Sequence, residues 1–282
     1  MEEKKSSETA QGVSVLRAAH QLIDGEPKIL DDPVIVRMLD GSTRARILDR
    51  PQDYQSPRLR ALRTRLLVRS RFAEDRLAAA AVRGIRQYVI LGAGMDTFAY
   101  RQPAWAANLR IFELDQPASQ ATKRSSLEAA GIPIPPNLEF VEADFEKDPL
   151  ETVLKRSPFD FAKPAFFSCL GVLMYLTEGA VHSILEFAAS GPPSSEIVFS
   201  YANQDPLPDR PNRVSVTERN ATQMGEPWLT KFRPDALKEK LEGLGFSEIL
   251  FLTPEMISDR YLRDRQDDLP APRQASILSA KV

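Results

Sequence analysis

A strand-like run that stops at a pair of glycines is the feature that most constrains this chain. Residues 88–91 are continuously apolar, as expected of a buried strand, and Gly92-Ala93-Gly94 follows at once. Asp96 or Thr97 is suited to cap a helix after this turn. Because glycine has no Cβ atom, the backbone can approach a ligand closely there. The pattern predicts a nucleotide-type site on an α/β fold, and the plainer alternative is an ordinary strand-to-helix turn.

The turn lacks one element of the dinucleotide-binding fingerprint. That fingerprint needs a third glycine three residues after the second, and the residue at this position is Thr97. A pyrophosphate is therefore not the expected ligand of this turn.

Strands and helices alternate from residue 86 onward, which predicts a mostly parallel sheet with helices on both faces. We expect seven strands, at about 87–91, 110–114, 138–141, 165–170, 196–201, 248–252 and 275–281. We expect helices at about 13–24, 33–39, 57–84, 117–130, 177–190 and 234–244. The predicted organisation is one structural domain, with a helical extension over residues 1–84 and a core over 85–282. A proline-rich stretch at about 202–234 is interpreted as a substrate loop.

The composition excludes several classes of protein. The net charge of −2 gives no indication of a nucleic-acid partner. One cysteine and two histidines in 282 residues exclude a disulfide framework and a Cys/His zinc site, and they suit a reduced, cytoplasmic setting. No apolar run approaches the ~18 residues of a membrane span. The polar residues 1–10 are expected to be a frayed tail rather than a signal peptide.

Carboxylates follow the second and third predicted strands. Asp115 ends the second, and its oxygens can accept hydrogen bonds from both hydroxyls of a ribose. Asp144 ends the third, where a carboxylate can accept from the amine of adenine and Phe145 can lie against the ring. A single carboxylate is more often solvated, but three successive strand ends carry suitable groups, the glycine turn after the first and carboxylates after the second and third. A ligand with ribose and adenine but no pyrophosphate fits, and S-adenosylmethionine is the common one.

The methionine end of that ligand carries a carboxylate, for which a nearby arginine is wanted. Arginines are concentrated on the predicted helix before the first strand. Most of them are expected on a solvated face, and one or two could turn inward to hold an anion. They are Arg58, Arg60, Arg63, Arg65, Arg69, Arg71 and Arg76.

Four sequence blocks together resemble the leucine carboxyl methyltransferase family. The first is Leu91-Gly-Ala-Gly-Met-Asp-Thr-Phe-Ala-Tyr-Arg101. The others follow in order as Phe112-Glu-Leu-Asp-Gln-Pro117 with Lys123-Arg124, Glu142-Ala-Asp-Phe145, and Gly171-Val-Leu-Met-Tyr-Leu-Thr177. The resemblance extends over roughly residues 12–280.

The resemblance implies a Rossmann-like class I methyltransferase fold: a seven-stranded sheet with added N-terminal helices. It implies methyl transfer from S-adenosylmethionine to an oxygen, in this family a carboxylate. Gly92 and Gly94 would pass under the methionine moiety. Asp115 would bind the ribose, and Asp144 with Phe145 the adenine.

A family arginine on the helix before the first strand grips the cofactor carboxylate. Arg71 is the best match, with Arg69 as the alternative. An N-terminal basic residue also contacts the cofactor in the family, and Arg17 is a candidate for it. At one position the sequence departs from the family: Leu170 stands where a glutamate is common, and Ser168 or a backbone group is the possible substitute.

The acceptor decides whether a catalytic base is needed. A carboxylate is already ionised at neutral pH and needs none. A phenol or alcohol would need one, and the candidates are His182, Tyr175 and Tyr201. Tyr201, at a strand end, is the weak candidate for a substrate contact. Arg210 or Arg213 in the proline-rich loop is a further candidate, for pairing with an acidic acceptor.

Two other functions stay open at this point. One is an NAD(P)-dependent oxidoreductase on a related sheet, against which the missing third glycine counts. The other is a non-catalytic binding protein with a degenerate methyltransferase pocket, which Leu170 supports. For the methyltransferase, the expected partner is a small-molecule or peptide acceptor, with no membrane and no nucleic acid involved.

Overall fold

A computed structural model describes residues 8–204, 216–223, 225–267 and 269–282. Within these residues seven strands are found: β1 Gln87–Leu91, β2 Arg110–Asp115, β3 Leu138–Glu142, β4 Ala165–Cys169, β5 Glu196–Ser200, β6 Glu248–Phe251 and β7 Ile277–Lys281. The same residues contain the helices α1 Glu8–Ile23, α2 Pro33–Met38, α3 Gly41–Asp49, α4 Pro57–Val82, α5 Pro117–Ala129, α6 Leu150–Leu154, α7 Glu178–Ala189, α8 Val216–Gln223, α9 Pro234–Gly243 and α10 Pro254–Ile257. None of the helices described is both long and apolar enough to cross a membrane.

All seven strands belong to one sheet, in the order β3-β2-β1-β4-β5-β7-β6. The first five strands along the chain run parallel, whereas β7 is antiparallel to both of its neighbours, β5 and β6. The prediction of an α/β fold with a seven-stranded, mostly parallel sheet is therefore confirmed. Each strand lies within two residues of its predicted bounds.

Apolar layers cover both faces of the sheet. On β1, Val89 and Leu91 belong to the layer that includes α7 and α9, while Tyr88 and Ile90 belong to the layer that includes α4. Because successive side chains of a strand point to opposite faces, a strand covered on both sides is mostly apolar, as residues 88–91 of β1 are. This burial is the physical reason that the continuous apolar run predicted the strand.

Helix α4 connects the N-terminal helices to the sheet. The Ser56 side chain caps it by accepting a hydrogen bond from the Leu59 N–H (3.3 Å), and Pro57 occupies the first turn. Phe72 packs in the layer on the sheet, whereas Leu66 packs with Leu16 of α1. The two ends of α4 are thereby fixed to different parts of the molecule.

Several local predictions were wrong or incomplete. Asp40-Gly41 was predicted only to end α2. In the structure an Asp40 oxygen also accepts a hydrogen bond from the Thr43 N–H (2.8 Å), so Asp40 caps the start of α3. The glycine turn leads into a single 3₁₀ turn, Phe98–Tyr100, rather than a full helix. Helices α6, α8 and α10 were not predicted, and α8 lies within the stretch 202–234 that was interpreted as a loop. The expected tail at residues 1–7 and the predicted loop residues 205–215, with Arg210 and Arg213, lie outside the described residues.

Candidate functional site

Five strand ends lie side by side at the carboxyl edge of the sheet. In spatial order they are the ends of β3, β2, β1, β4 and β5, which are followed by Asp144, the Asp115 carboxylate, the glycine turn, Leu170 and Tyr201. Neighbouring strands are about 4.8 Å apart, so the ends of β3 and β1 lie roughly 10 Å apart. This edge is where open parallel sheets bind ligands.

Both glycines of the turn have positive φ angles, +67° at Gly92 and +44° at Gly94. A Cβ atom at Gly92 would lie 2.3 Å from a methyl carbon of Val172, in the loop after β4. At Gly94 a Cβ atom would meet nothing within 4 Å, so the backbone conformation alone favours glycine there. The first glycine therefore lets the loops after β1 and β4 touch, and the second leaves open space beside the turn.

The Asp115 side chain fixes this turn from the neighbouring strand. One carboxylate oxygen accepts a hydrogen bond from the Gly94 N–H (2.6 Å), and the other accepts from the Gln116 N–H (2.7 Å). Burial raises the pKa of Asp115, and these two N–H donors oppose that effect. Because each carboxylate oxygen has two lone pairs, the Asp115 carboxylate can accept further hydrogen bonds, such as one from a ribose hydroxyl.

Asp144 and Phe145 lie two strands away from the glycine turn. An Asp144 oxygen forms an exposed ion pair with Lys147 (2.7 Å), and Phe145 is half-buried against the apolar layer beside β3. Their predicted contact with adenine stays a prediction.

A cavity of about 550 Å³ opens beside the glycine turn, within the range typical of small-molecule sites. Its wall is formed by the glycine turn, the loop after β4, one face of α4, the start of α1, and Trp228 with the end of α8. Of the predicted site residues, Gly92, Gly94 and Leu170 line this cavity. The other predicted residues, Arg71, Asp115, Asp144, Phe145 and Tyr201, are not part of its wall.

Of the two arginines considered for the cofactor carboxylate, Arg69 lines this cavity and Arg71 does not. Arg71 is exposed and its guanidinium donates to Asp75 (2.8 Å) on the outer face of α4. Two residues apart on a helix means nearly opposite faces, which is why only one of the pair can point inward. The sequence pattern favoured Arg71 with Arg69 as the alternative, and of the two it is Arg69 that lies beside the glycine turn.

Arg69 is packed over the loop after β4. A Cβ atom at Gly171 would lie 2.8 Å from Nη1 of Arg69, so this glycine makes room for the guanidinium. Nε of Arg69 is buried without an acceptor, and no carboxylate in the described part of the chain forms an ion pair with it. Burial, together with the charges of Arg65 and Arg17, lowers the pKa of Arg69 to about 10, which leaves it positive at neutral pH.

Arg17 connects α1 to the glycine turn. Its guanidinium donates to Asp32 (2.6 Å), to the hydroxyl of Thr97 (2.9 Å) and to the carbonyl of Met95 (3.3 Å), while its Nε has no partner. Arg101 donates to the same hydroxyl (3.0 Å). Thr97, the residue that replaces the third glycine, therefore accepts from two arginines.

Leu170 presents an apolar side chain to the cavity where a family glutamate would present a carboxylate. Ser168, the possible substitute, also lines the wall, and its hydroxyl is hydrogen-bonded to the Tyr88 hydroxyl (2.9 Å). The Ser168 hydroxyl is therefore already hydrogen-bonded within the sheet.

The candidate bases are separated by the fold. Tyr175 lines the cavity. Tyr201 is buried against Phe251, with ring centroids 6.3 Å apart, and His182 lies exposed on α7 near Glu186 (4.0 Å). Neither of the latter two reaches the cavity wall.

Sequence reasoning missed two cavity residues. Arg65 was seen as part of the arginine run but was not singled out, although its spacing of four from Arg69 places both on one helix face. Trp228 carried no recognisable signal, because it lies in an irregular segment after α8. Its indole Nε1 is buried without an acceptor.

Comparison with known proteins gives a consistent result. The sequence model of the leucine carboxyl methyltransferase family matches residues 10–189. A Bacillus subtilis protein, YktD, provisionally named an S-adenosyl-L-methionine-dependent methyltransferase, is 36% identical over 208 residues, which cover 73% of this chain and 68% of that protein. A Mycobacterium marinum protein with the same provisional description is 32% identical over 233 residues, covering 79% and 74%.

Two solved structures share the fold over nearly the whole chain. One is a provisionally named methyltransferase from Thermobifida fusca, with a TM-score of 0.57 and 18% identity, covering 99% of this chain and 95% of that one. The other is a DUF574 family protein from Streptomyces avermitilis, with a TM-score of 0.58 and 17% identity, covering 98% and 96%. At these identities the likeness concerns the fold alone.

Proposed function

This chain belongs to the leucine carboxyl methyltransferase family, and from that premise we propose that it binds S-adenosylmethionine and methylates a carboxylate oxygen of a small molecule or peptide. The observation that carries the proposal is Arg69 beside the glycine turn, a half-buried guanidinium whose Nε is buried without an acceptor and which forms no ion pair with the described residues. A guanidinium removed from water without a counter-charge is unfavourable unless a ligand supplies the anion. The α-carboxylate of the cofactor is such an anion, and a guanidinium can hold it with two hydrogen bonds.

The remainder of the cofactor fits the order of the strand ends. From the glycine turn, the Asp115 carboxylate lies one strand away and Asp144 with Phe145 two strands away. This sequence of groups suits a methionine moiety, a ribose and an adenine in that order. We therefore assign Asp115 to the ribose and Asp144 with Phe145 to the base, as part of the proposal.

When bound, S-adenosylmethionine supplies a methyl group on a positively charged sulfur. The bond between the acceptor oxygen and the methyl carbon forms as the carbon–sulfur bond breaks, and the electron pair of that bond stays on sulfur. The products are a methyl ester and S-adenosylhomocysteine. The chain must hold the two reactants in line and exclude water, which can account for ~7–11 kcal/mol of the barrier. The glycine turn, Arg69 and Leu170 do this on the cofactor side.

The small number of candidate bases among the described cavity residues favours a carboxylate as acceptor. Among the described lining residues there is no histidine, and Asp96 is the one carboxylate, which already accepts from the Phe98 N–H (2.8 Å). An ionised carboxylate needs no proton removed at neutral pH. An alcohol would need a base, for which Asp96 and Tyr175 are the candidates among the described lining residues.

The oxidoreductase alternative is weakened by the turn itself. A pyrophosphate site uses the N-terminus of a helix directly after the glycines. Here the described backbone forms one 3₁₀ turn instead, and Thr97 is occupied by Arg17 and Arg101.

The proposal is tested by calorimetric titration with S-adenosylhomocysteine. We expect Arg69→Ala to weaken binding by about 2 kcal/mol, or roughly thirtyfold, because a charge-assisted contact is lost. Arg71→Ala, on the outer face of the same helix, is the matched control and should bind like the unaltered protein.

Folding stability separates this role from a structural one. Because Arg69 has no ion-pair partner in the described structure, its removal should leave the unfolding midpoint in urea unchanged or raise it. Equal affinity of both variants for S-adenosylhomocysteine, or no binding by the unaltered protein, would refute the proposal.

A further inference from the structure

A second unpaired arginine lies in the same cavity. Arg65 is four residues before Arg69 on α4, about 6 Å along the helix axis, and its side chain lines the cavity. Neither an ion pair nor a hydrogen bond to Arg65 is formed in the described structure. The cofactor has one carboxylate, which Arg69 accounts for, so Arg65 is left without an anion.

The charge of the cavity wall supports a second anion. Its described arginines outnumber its one carboxylate, Asp96, and they are Arg17, Arg46, Arg58, Arg65 and Arg69. Asp32 neutralises Arg17 (2.6 Å). S-adenosylmethionine adds a further positive charge overall, because its sulfonium and ammonium exceed its carboxylate. A wall of this sign attracts and orients an anionic second ligand.

The other residues of the cavity wall indicate the chemical character of the rest of that ligand. Leu62 and Leu66 of α4 line the same cavity as Arg65, and so do Met174 and Trp228. The Nε1–H of Trp228 is buried without an acceptor among the described residues, so the wall holds a second unsatisfied hydrogen-bond donor. A carboxylate on an apolar body would satisfy both the polar and the apolar parts of the wall.

We infer that Arg65 is the residue that selects the acceptor, by pairing with the carboxylate of an acid whose body is aliphatic or aromatic. This inference rests on the proposed function, because it assigns Arg69 to the cofactor. It has a chemical consequence: methylation converts the carboxylate into a neutral ester, so the ion pair with Arg65 is lost in the product. The same residue therefore favours binding of the acid and release of the ester.

The test measures the binding of two simple acids, octanoate and 4-phenylbutyrate, and of their neutral amides, to the protein saturated with S-adenosylhomocysteine. We expect each acid to bind at least about tenfold more tightly than its amide, the factor typical of a charge-assisted contact. Arg65→Gln should remove this difference, with the amide affinities unchanged. Arg65→Lys should restore part of it, and Arg71→Gln is the matched control.

The outcomes separate the two proposals. Equal binding of acid and amide, or no binding of either acid at concentrations on the order of 10 mM, overturns the role of Arg65 while the cofactor site stands. If Arg65→Gln lowers affinity for S-adenosylhomocysteine as Arg69→Ala does, Arg65 belongs to the cofactor and the inference is wrong. If the unaltered protein does not bind S-adenosylhomocysteine, the proposed function fails and the acceptor role fails with it.

Discussion

Gly171 determines whether Arg69 can lie where it does. Its φ angle is +78°, and a Cβ atom there would lie 2.8 Å from the guanidinium. We expect Gly171→Ala to displace Arg69 and to weaken binding of S-adenosylhomocysteine about tenfold, while the strained backbone costs about 1 kcal/mol of stability. Calorimetry and urea unfolding measure the two effects separately.

Gly179→Ala is the control for this substitution. Gly179 lies in the first turn of α7, and a Cβ atom there would meet nothing within 4 Å. If Gly171→Ala keeps full affinity, the guanidinium can move without loss and its position is not the binding determinant.

Single residues mark the limit of sequence reasoning at this site. Arg69 and Arg71 fit the same short pattern, and only the position of the cavity on one face of α4 separates them. Tyr201 was placed near the acceptor because it follows β5, but its ring turns into the core against Phe251. In contrast, Gly92 and Gly94 were identifiable because their backbone conformation restricts the residue type.

Between elements, a buried ion network ties α1 and α2 to the glycine turn. Asp32 caps α2 through the Ile35 N–H (3.2 Å) and accepts from Arg17 (2.6 Å). Burial alone would raise the pKa of Asp32, but the positive charges of Arg17 and Arg101 hold it below the ordinary value. The network therefore holds α1 and α2 against the glycine turn.

Asp32→Asn should destabilise the protein by about 3 kcal/mol, because Arg17 and Arg101 lose a buried counter-charge. Asparagine still caps a helix, so the loss would report the ion pairs rather than the cap. Urea unfolding measures the change, and Asp31→Asn at the exposed neighbouring position should shift stability by less than about 0.5 kcal/mol. A shift for Asp32→Asn as small as that of the control would contradict this account.

The elements themselves were largely predictable. The central strands β1, β4 and β5 were found because fully buried strands are rich in apolar residues. Helix α3 was missed because Asp40-Gly41 resembles a helix end, whereas Asp40 serves as the cap of the next helix. Such a choice depends on the packing of Ile47 against α1, which no local pattern contains.

For the whole molecule, Cys169 provides a built-in probe of unfolding. This single cysteine lies fully buried at the end of β4, and burial raises the pKa of its thiol. We expect a thiol-exchange reagent to label it only through unfolding. S-adenosylhomocysteine at about 100 times its dissociation constant should then slow labelling roughly 100-fold, since ligand binding stabilises the folded state.

The Arg69→Ala variant is the control for this experiment, because the same ligand concentration should protect it much less. Fast labelling of the unaltered protein in the absence of denaturant would show that β4 opens locally and would refute the prediction.

For the whole molecule, the fold could be predicted from the sequence, but the cavity could not. The alternation of strands and helices fixed the class of sheet, and the order of the motifs indicated which edge binds ligand. The wall opposite that edge comes from α1, α4 and Trp228, which are remote in sequence and carry no shared pattern.

The place of β7 has a consequence for how this protein is made. It is the last of the seven strands to leave the ribosome, yet it pairs with both β5 and β6 in the interior of the sheet. Until residues 277–281 emerge, β5 has one bare edge and β6 has no partner, and bare edges invite pairing with other chains. A nascent chain stalled before that point would therefore be a substrate for chaperones rather than a nearly finished enzyme.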